Sequence, residues 1–132
     1  MSVELVTTIN RAIPNFYATP TVRFDDDGYY WFLDPLFEQV YAQTGKRIDL
    51  HGRAEFNAAQ LSVLQTVIQQ GREFVQQLPE RWAVPAHLRR SSTPEPLRMT
   101  VTKQQFLSLF EQFDHLIAQA IAQHEHIVCI GD

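Results

Sequence analysis

Two stretches of the chain repeat apolar residues at helical spacing and carry their own start signals. From Ala58 to Leu78, Leu61, Leu64, Ile68, Val75 and Leu78 share one face, with Gly71 filling the missing position of the stripe. Asn57 before it is a helix cap, Gln60 stands where a capping box needs it, and Phe56 can staple onto Leu61. A glycine inside a helix costs about 1 kcal/mol against alanine, so Gly71 predicts close approach of another backbone. From Lys103 to Gln123 the stripe is Phe106, Leu109, Phe110, Phe113, Leu116, Ile117, Ala120 and Ile121, capped by Thr102 with Gln105 three residues on.

The remaining pattern is read as strands, turns and two shorter helices. Val3, Val6, Ile9 and Ile13 predict a first helix over Ser2 to Ile13, ended by Pro14. Thr21 to Leu33 reads as a hairpin turning at Asp26-Asp27-Gly28. Asp34-Pro35 then starts a helix with Leu36, Phe37, Val40 and Tyr41 as its stripe and Gly45 as its stop. Lys46 to Leu50 predicts a short strand, and the next six residues, His51 to Phe56, a connection. Alternation at Trp82, Val84, Ala86 and Leu88, and again at Leu97, Met99 and Val101, predicts a second hairpin around the polar loop Arg89 to Pro96. Pro85 places its first strand at an edge or bulge. His126 to Ile130 closes the set as a strand. Together these elements predict one α+β domain over residues 1–132, a mostly antiparallel sheet with the two long amphipathic helices packed on one face.

Charge and composition narrow the function classes. Eleven basic and fifteen acidic residues give a net charge of −4, the wrong sign for a partner held by phosphate neutralisation, so nucleic acid is not expected. No stretch approaches the ~20 apolar residues of a membrane span, and the first residues lack the basic and apolar regions of a signal peptide. Cys129, the only cysteine, cannot form an internal disulfide and sits in an apolar run. These features predict a soluble protein of the cytoplasm.

Candidate chemistry is sparse. His124-Glu125-His126 sets two imidazoles two apart but has no clear third ligand, and reads as a polar helix-to-strand junction. Asp25-Asp26-Asp27 lacks calcium-loop spacing and reads as a solvated turn. His115 falls off the apolar stripe, and Cys129 is expected to be a structural thiol. The five glycines never cluster into a phosphate loop, and Arg89-Arg90 is too small a basic site for nucleic acid. No catalytic residue, metal or cofactor is therefore expected.

What rises above this background is the aromatic and acidic segment from Phe16 to Tyr41. Read as a strand, Tyr29 to Leu33 would carry large apolar side chains on both faces, one in the core and the other covered or exposed as an interaction patch. The candidate partner-binding residues are Asp25, Asp26, Asp27, Tyr29, Tyr30, Trp31, Asp34 and Glu38. With this hairpin, the Leu78-Pro79-Glu80-Arg81-Trp82 turn and the Ile127-Val128-Cys129-Ile130-Gly131-Asp132 end, the chain resembles, in general character, bacterial immunity proteins of polymorphic and contact-delivered toxin systems. That resemblance implies a non-catalytic inhibitor that binds one cognate toxin domain, and it transfers no individual contact residue. The alternative expectation is a small regulatory or ligand-binding homodimer joined through the Trp82 hairpin edge.

Overall fold

The computed structural model describes residues 1–17, 21–86 and 98–132. The first element is a strand, β1 (Ser2–Ile9), where a helix was expected. It is the inner strand of its sheet, and Val3, Leu5 and Val6 are all buried, so both faces of the strand are apolar. Burial on both faces erases the two-residue alternation, and the remaining Val3, Val6, Ile9 spacing imitates a helix.

A turn through Asn10 and Arg11, both at positive φ, leads into the two-residue β2 (Ile13–Pro14). β3 (Val22–Asp25) pairs with the first half of β1, on the edge that β2 shares. The predicted hairpin ends there. Asp27 caps a helix, α1 (Gly28–Thr44), by accepting the Tyr29 N–H at 2.9 Å, so Tyr29 to Leu33 are helical and Asp34-Pro35 lies inside the helix rather than at its start. Tyr30, Leu33, Phe37 and Val40 are its buried stripe, spaced three, four and three, whereas Tyr41 is exposed. Gly45 ends α1 in the left-handed conformation, as expected.

Residues 46–49 form no strand, although Ile48 and Leu50 are buried. The strand lies in the expected connection instead, as β4 (Arg53–Phe56) on the far edge of the sheet. α2 (Ala58–Gln76) carries the full capping box of Asn57 and Gln60. A β-carbon at Gly71 would lie 2.5 Å from Leu36 Cδ1 and 3.2 Å from Phe110 Cζ, so side chains of the flanking helices, not a backbone, occupy the space the glycine leaves.

β5 (Arg81–Pro85) and β6 (Arg98–Thr102) form the second hairpin as a separate two-stranded ribbon, with Pro85 opposite Arg98 at the end where the chain connects the two strands. Leu88, Leu97 and the loop Arg89 to Pro96 lie outside the described residues. α3 (Lys103–Gln123) begins at the predicted cap, where Thr102 Oγ1 accepts the Gln105 N–H at 3.2 Å. The Thr102 N–H is taken by Tyr29 Oη from α1, at 3.2 Å. Its predicted face is buried except at Ile121, which is exposed. β7 (Ile127–Gly131) inserts between β1 and β4.

The fold is α+β with every described strand pair antiparallel. α2 packs on α1 and α3, and α3 and β3 supply most of the contact between helices and sheet. Phe24 of β3 meets Tyr30 and Phe37 of α1 and Phe113 of α3, at ring separations of 5.5 to 6.2 Å, and so ties the layers together.

Candidate functional site

The eight predicted partner-binding residues are divided by the fold. Tyr30 is 1% exposed and donates its hydroxyl to the Ile48 carbonyl at 2.8 Å, which removes it from any contact surface. Burial raises its phenol above the ordinary tyrosine value, against the hydrogen bond and charge of Arg47. Tyr29 is half-buried against Phe106. Asp27 is the α1 cap; its burial raises the carboxyl above the ordinary aspartate value, opposed by the N–H groups of Tyr29 and Tyr30. Asp34 and Glu38 both engage Arg47. Asp25 pairs loosely with Arg23 at 3.3 Å. Trp31 and Asp26 remain together near the surface, the indole N–H donating to Asp26 Oδ1 at 2.7 Å.

Trp31 also lines an apolar concavity. It is an open groove of about 510 Å³ between α1, α2 and the end of β5, with Phe32, Leu36, Phe74, Val84 and Pro85 along its walls. None of its lining residues carries a charge. Phe74 is 58% exposed and stacks at 6.4 Å on Phe32 across the helices, a large apolar side chain at the margin of the α2 stripe, two turns after the buried Val67. Phe32 in turn meets Trp82 and Phe106, so the wall continues into the packed aromatic layer behind it. An apolar concavity of this size suits the side chains of a partner.

Apart from Trp31, the groove's residues are not among the sequence candidates, because Tyr29 to Leu33 read as a strand rather than as part of a helix facing α2. One signal was present: Phe74, seven residues after Val67, widens the apolar face of the helix beyond the stripe that runs from Leu61 to Leu78.

A second exposed apolar group, Ile9, Ile13, Phe16 and Tyr17, projects from the β1–β2 hairpin. The three residues of the histidine motif go different ways: His124 is the exposed left-handed cap of α3, His126 lies 3.6 Å from Glu55, and Glu125 binds the hairpin turn. No group of three or more metal-ligating side chains occurs among the described residues. Burial drives the Cys129 thiol far above its ordinary value, which suits a structural residue. Among the described residues, no helix is long and apolar enough to cross a membrane. The chain matches no family model, no curated protein and no solved structure.

Proposed function

We propose that this chain is a non-catalytic protein-binding domain of the immunity type, which holds one toxin domain in the cytoplasm and blocks it. The observation that carries the reading is the charge-free groove walled by Trp31, Phe32 and Phe74, with an exposed phenylalanine and no proton-transfer group in its lining beyond the indole already held by Asp26. Aromatic anchors beside concave apolar surface are the energetic centres of protein interfaces. The net charge of −4 favours a basic partner through complementary fields. Of the residues predicted from the sequence, Trp31 lines this groove and Asp26 holds its indole, and the groove residues Phe32, Leu36 and Phe74 join them.

The test combines capture with protection. Wild type and Phe74→Asp are used side by side to capture proteins from lysate of the native cell, and each captured protein is expressed alone. Support is a protein retained by wild type but not by Phe74→Asp, which stops growth on its own and is neutralised by co-expressed wild type only. A retained protein without toxicity, or equal protection by Phe74→Asp, overturns the proposal. The groove volume favours one second reading, a site for a small apolar ligand in a regulatory domain, since about 510 Å³ falls in the range of small-molecule sites. Native mass spectrometry of the purified protein showing a retained apolar compound would select that reading.

A further inference from the structure

Among the described residues β5 pairs only with β6, and its Arg81, Ala83 and Pro85 are exposed. The ladder fixes which groups its other edge presents. The Lys103 N–H donates to the Glu80 carbonyl at 2.9 Å, so Glu80 and Lys103 face each other as a hydrogen-bonded pair. Bonded and non-bonded pairs alternate along an antiparallel ladder, which makes Arg81–Thr102, Ala83–Thr100 and Pro85–Arg98 the non-bonded ones. Two observations agree: the Thr102 N–H goes to Tyr29 Oη instead of β5, and Pro85 stands where the ladder needs no N–H. The N–H and C=O groups of Arg81 and Ala83, with the Pro85 carbonyl, therefore point away from β6.

The groove runs along that edge. Val84 and Pro85 point to opposite faces of β5 and both line it, whereas no described residue of β6 does. α1 starts against β6, where the Gly28 N–H donates to Met99 Sδ at 3.1 Å, and reaches β5 at Phe32, 5.2 Å from Trp82. A strand laid on β5, about 4.8 Å out, turns alternate side chains to the face of Trp82 and Val84, the side on which Phe32, Leu36 and Phe74 wall the groove. Its other side chains share the outward face with Arg81 and Arg98, neither of which forms an ion pair among the described residues. Arg98 Nη2 donates to the Ala83 carbonyl at 3.0 Å, which brings a second cation to the edge and leaves that oxygen a lone pair for an incoming N–H.

Resting on the protein-binding reading above, we infer that the partner docks as an extended segment added antiparallel to β5, with apolar residues at alternate positions in the groove and a carboxylate opposite Arg81. Main-chain bonds to Arg81, Ala83 and Pro85 hold the segment, while the groove and the arginines select it. A second copy of this chain fits the edge poorly. Pairing β5 with itself about Ala83 sets each Arg81 against a proline without an N–H and gathers both Arg98 guanidinium groups at the same pair of alanines.

The probe is acetyl-Thr-Leu-Thr-Leu-Glu-amide, titrated into the full chain and followed by the NMR shifts of the Arg81 and Ala83 amides. Its central threonine falls opposite Ala83 and its glutamate opposite Arg81. N-methylation of the central threonine removes the N–H that meets the Ala83 carbonyl and is expected to weaken binding about tenfold, whereas N-methylation of the first leucine, whose N–H points away from β5, leaves it unchanged. Wild type should bind the glutamate peptide about threefold more tightly than its lysine counterpart, and Arg81→Glu should reverse that order. Any other pattern of methylation effects, an unchanged order in Arg81→Glu, or no binding of either peptide overturns the inference. Its failure is separable from that of the protein-binding reading by adding Ala83→Pro to the capture experiment, since this change removes an outward N–H and leaves the ladder to β6 intact. Loss of the toxic partner by Ala83→Pro, as by Phe74→Asp, supports strand addition; retention by Ala83→Pro alone overturns it and leaves the groove reading standing. A wild-type dimer in sedimentation equilibrium that Ala83→Pro dissolves would give the edge to a second copy and overturn the inference as well.

Discussion

At Glu125 three donors converge on one surface carboxylate. Thr8 Oγ1 at 2.7 Å and the Arg11 N–H at 2.7 Å reach Oε2, and the Asn10 N–H at 2.9 Å reaches Oε1. Asn10 and Arg11 are both left-handed, a conformation asparagine tolerates and arginine enters at a cost of about 1–2 kcal/mol. Successive N–H groups in such a turn form a concavity for an anion, and Glu125 supplies the anion from the far end of the sequence. The Thr8 hydroxyl first, then the Arg11 N–H, hold its carboxyl below the ordinary glutamate value. A carboxyl with a lowered folded value stabilises the fold above its unfolded value and loses that contribution as pH falls through the folded one. Urea denaturation of wild type and Glu125→Gln should therefore differ most at neutral pH, and the curves should converge as the medium is acidified below about pH 4. Asp27 has the opposite sign. Its carboxyl is raised, so its charge weakens the fold as pH rises through the raised value, while its oxygen still caps α1. Asp27→Asn, which keeps the acceptor, should match or exceed wild-type stability at pH 7, and Asp27→Ala should lose about 1 kcal/mol. Thermal melts of the three proteins at pH 7 decide the order.

Among the elements, α2 and α3 were legible because their evidence is local. The cap, the box and the apolar stripe all lie within one segment, and a helix satisfies its backbone internally. Asn57 accepts the Gln60 N–H at 3.1 Å while Gln60 Oε1 accepts the Asn57 N–H at 3.0 Å. Lys46 Nζ also donates to Gln60 Oε1 at 2.9 Å, which links the box to the turn after α1. Asn57→Ala should cost about 1 kcal/mol in chemical denaturation, and Asn57→Gly only a few tenths. α1 was misread because Asp26-Asp27-Gly28 has the composition of a hairpin turn, whereas Asp27 serves as a helix cap. The Tyr30, Leu33, Phe37 and Val40 spacing crosses Pro35, and a proline eight residues into a helix hid that continuity. β1 was misread for a different reason: it is an inner strand, paired on its edges with β7 and β3 and packed on the core through Val3 and Leu5, and these partners are remote in sequence.

For the whole molecule, the core is one cluster shared by the sheet, all three helices and the β5–β6 ribbon. Phe113 of α3 is fully buried where β3 and the helix meet, against Phe24 at 5.9 Å. Phe113→Ala should cost about 3–5 kcal/mol, a large share of the stability of a domain this size, and the loss should appear as a shifted midpoint with an unchanged slope. The sequence by itself determined the two long helices, their caps, the ribbon and the α+β class, because periodicity and capping are properties of neighbouring residues. It also marked the aromatic and acidic segment as unusual. Only the tertiary structure decided which of those aromatics are spent inside: Tyr30 bonds Ile48 and disappears into the core, while Trp31 and Phe32 wall a groove completed by Phe74 and Pro85. A concave surface is made by side chains far apart in the chain, and no local pattern encodes the distance between them.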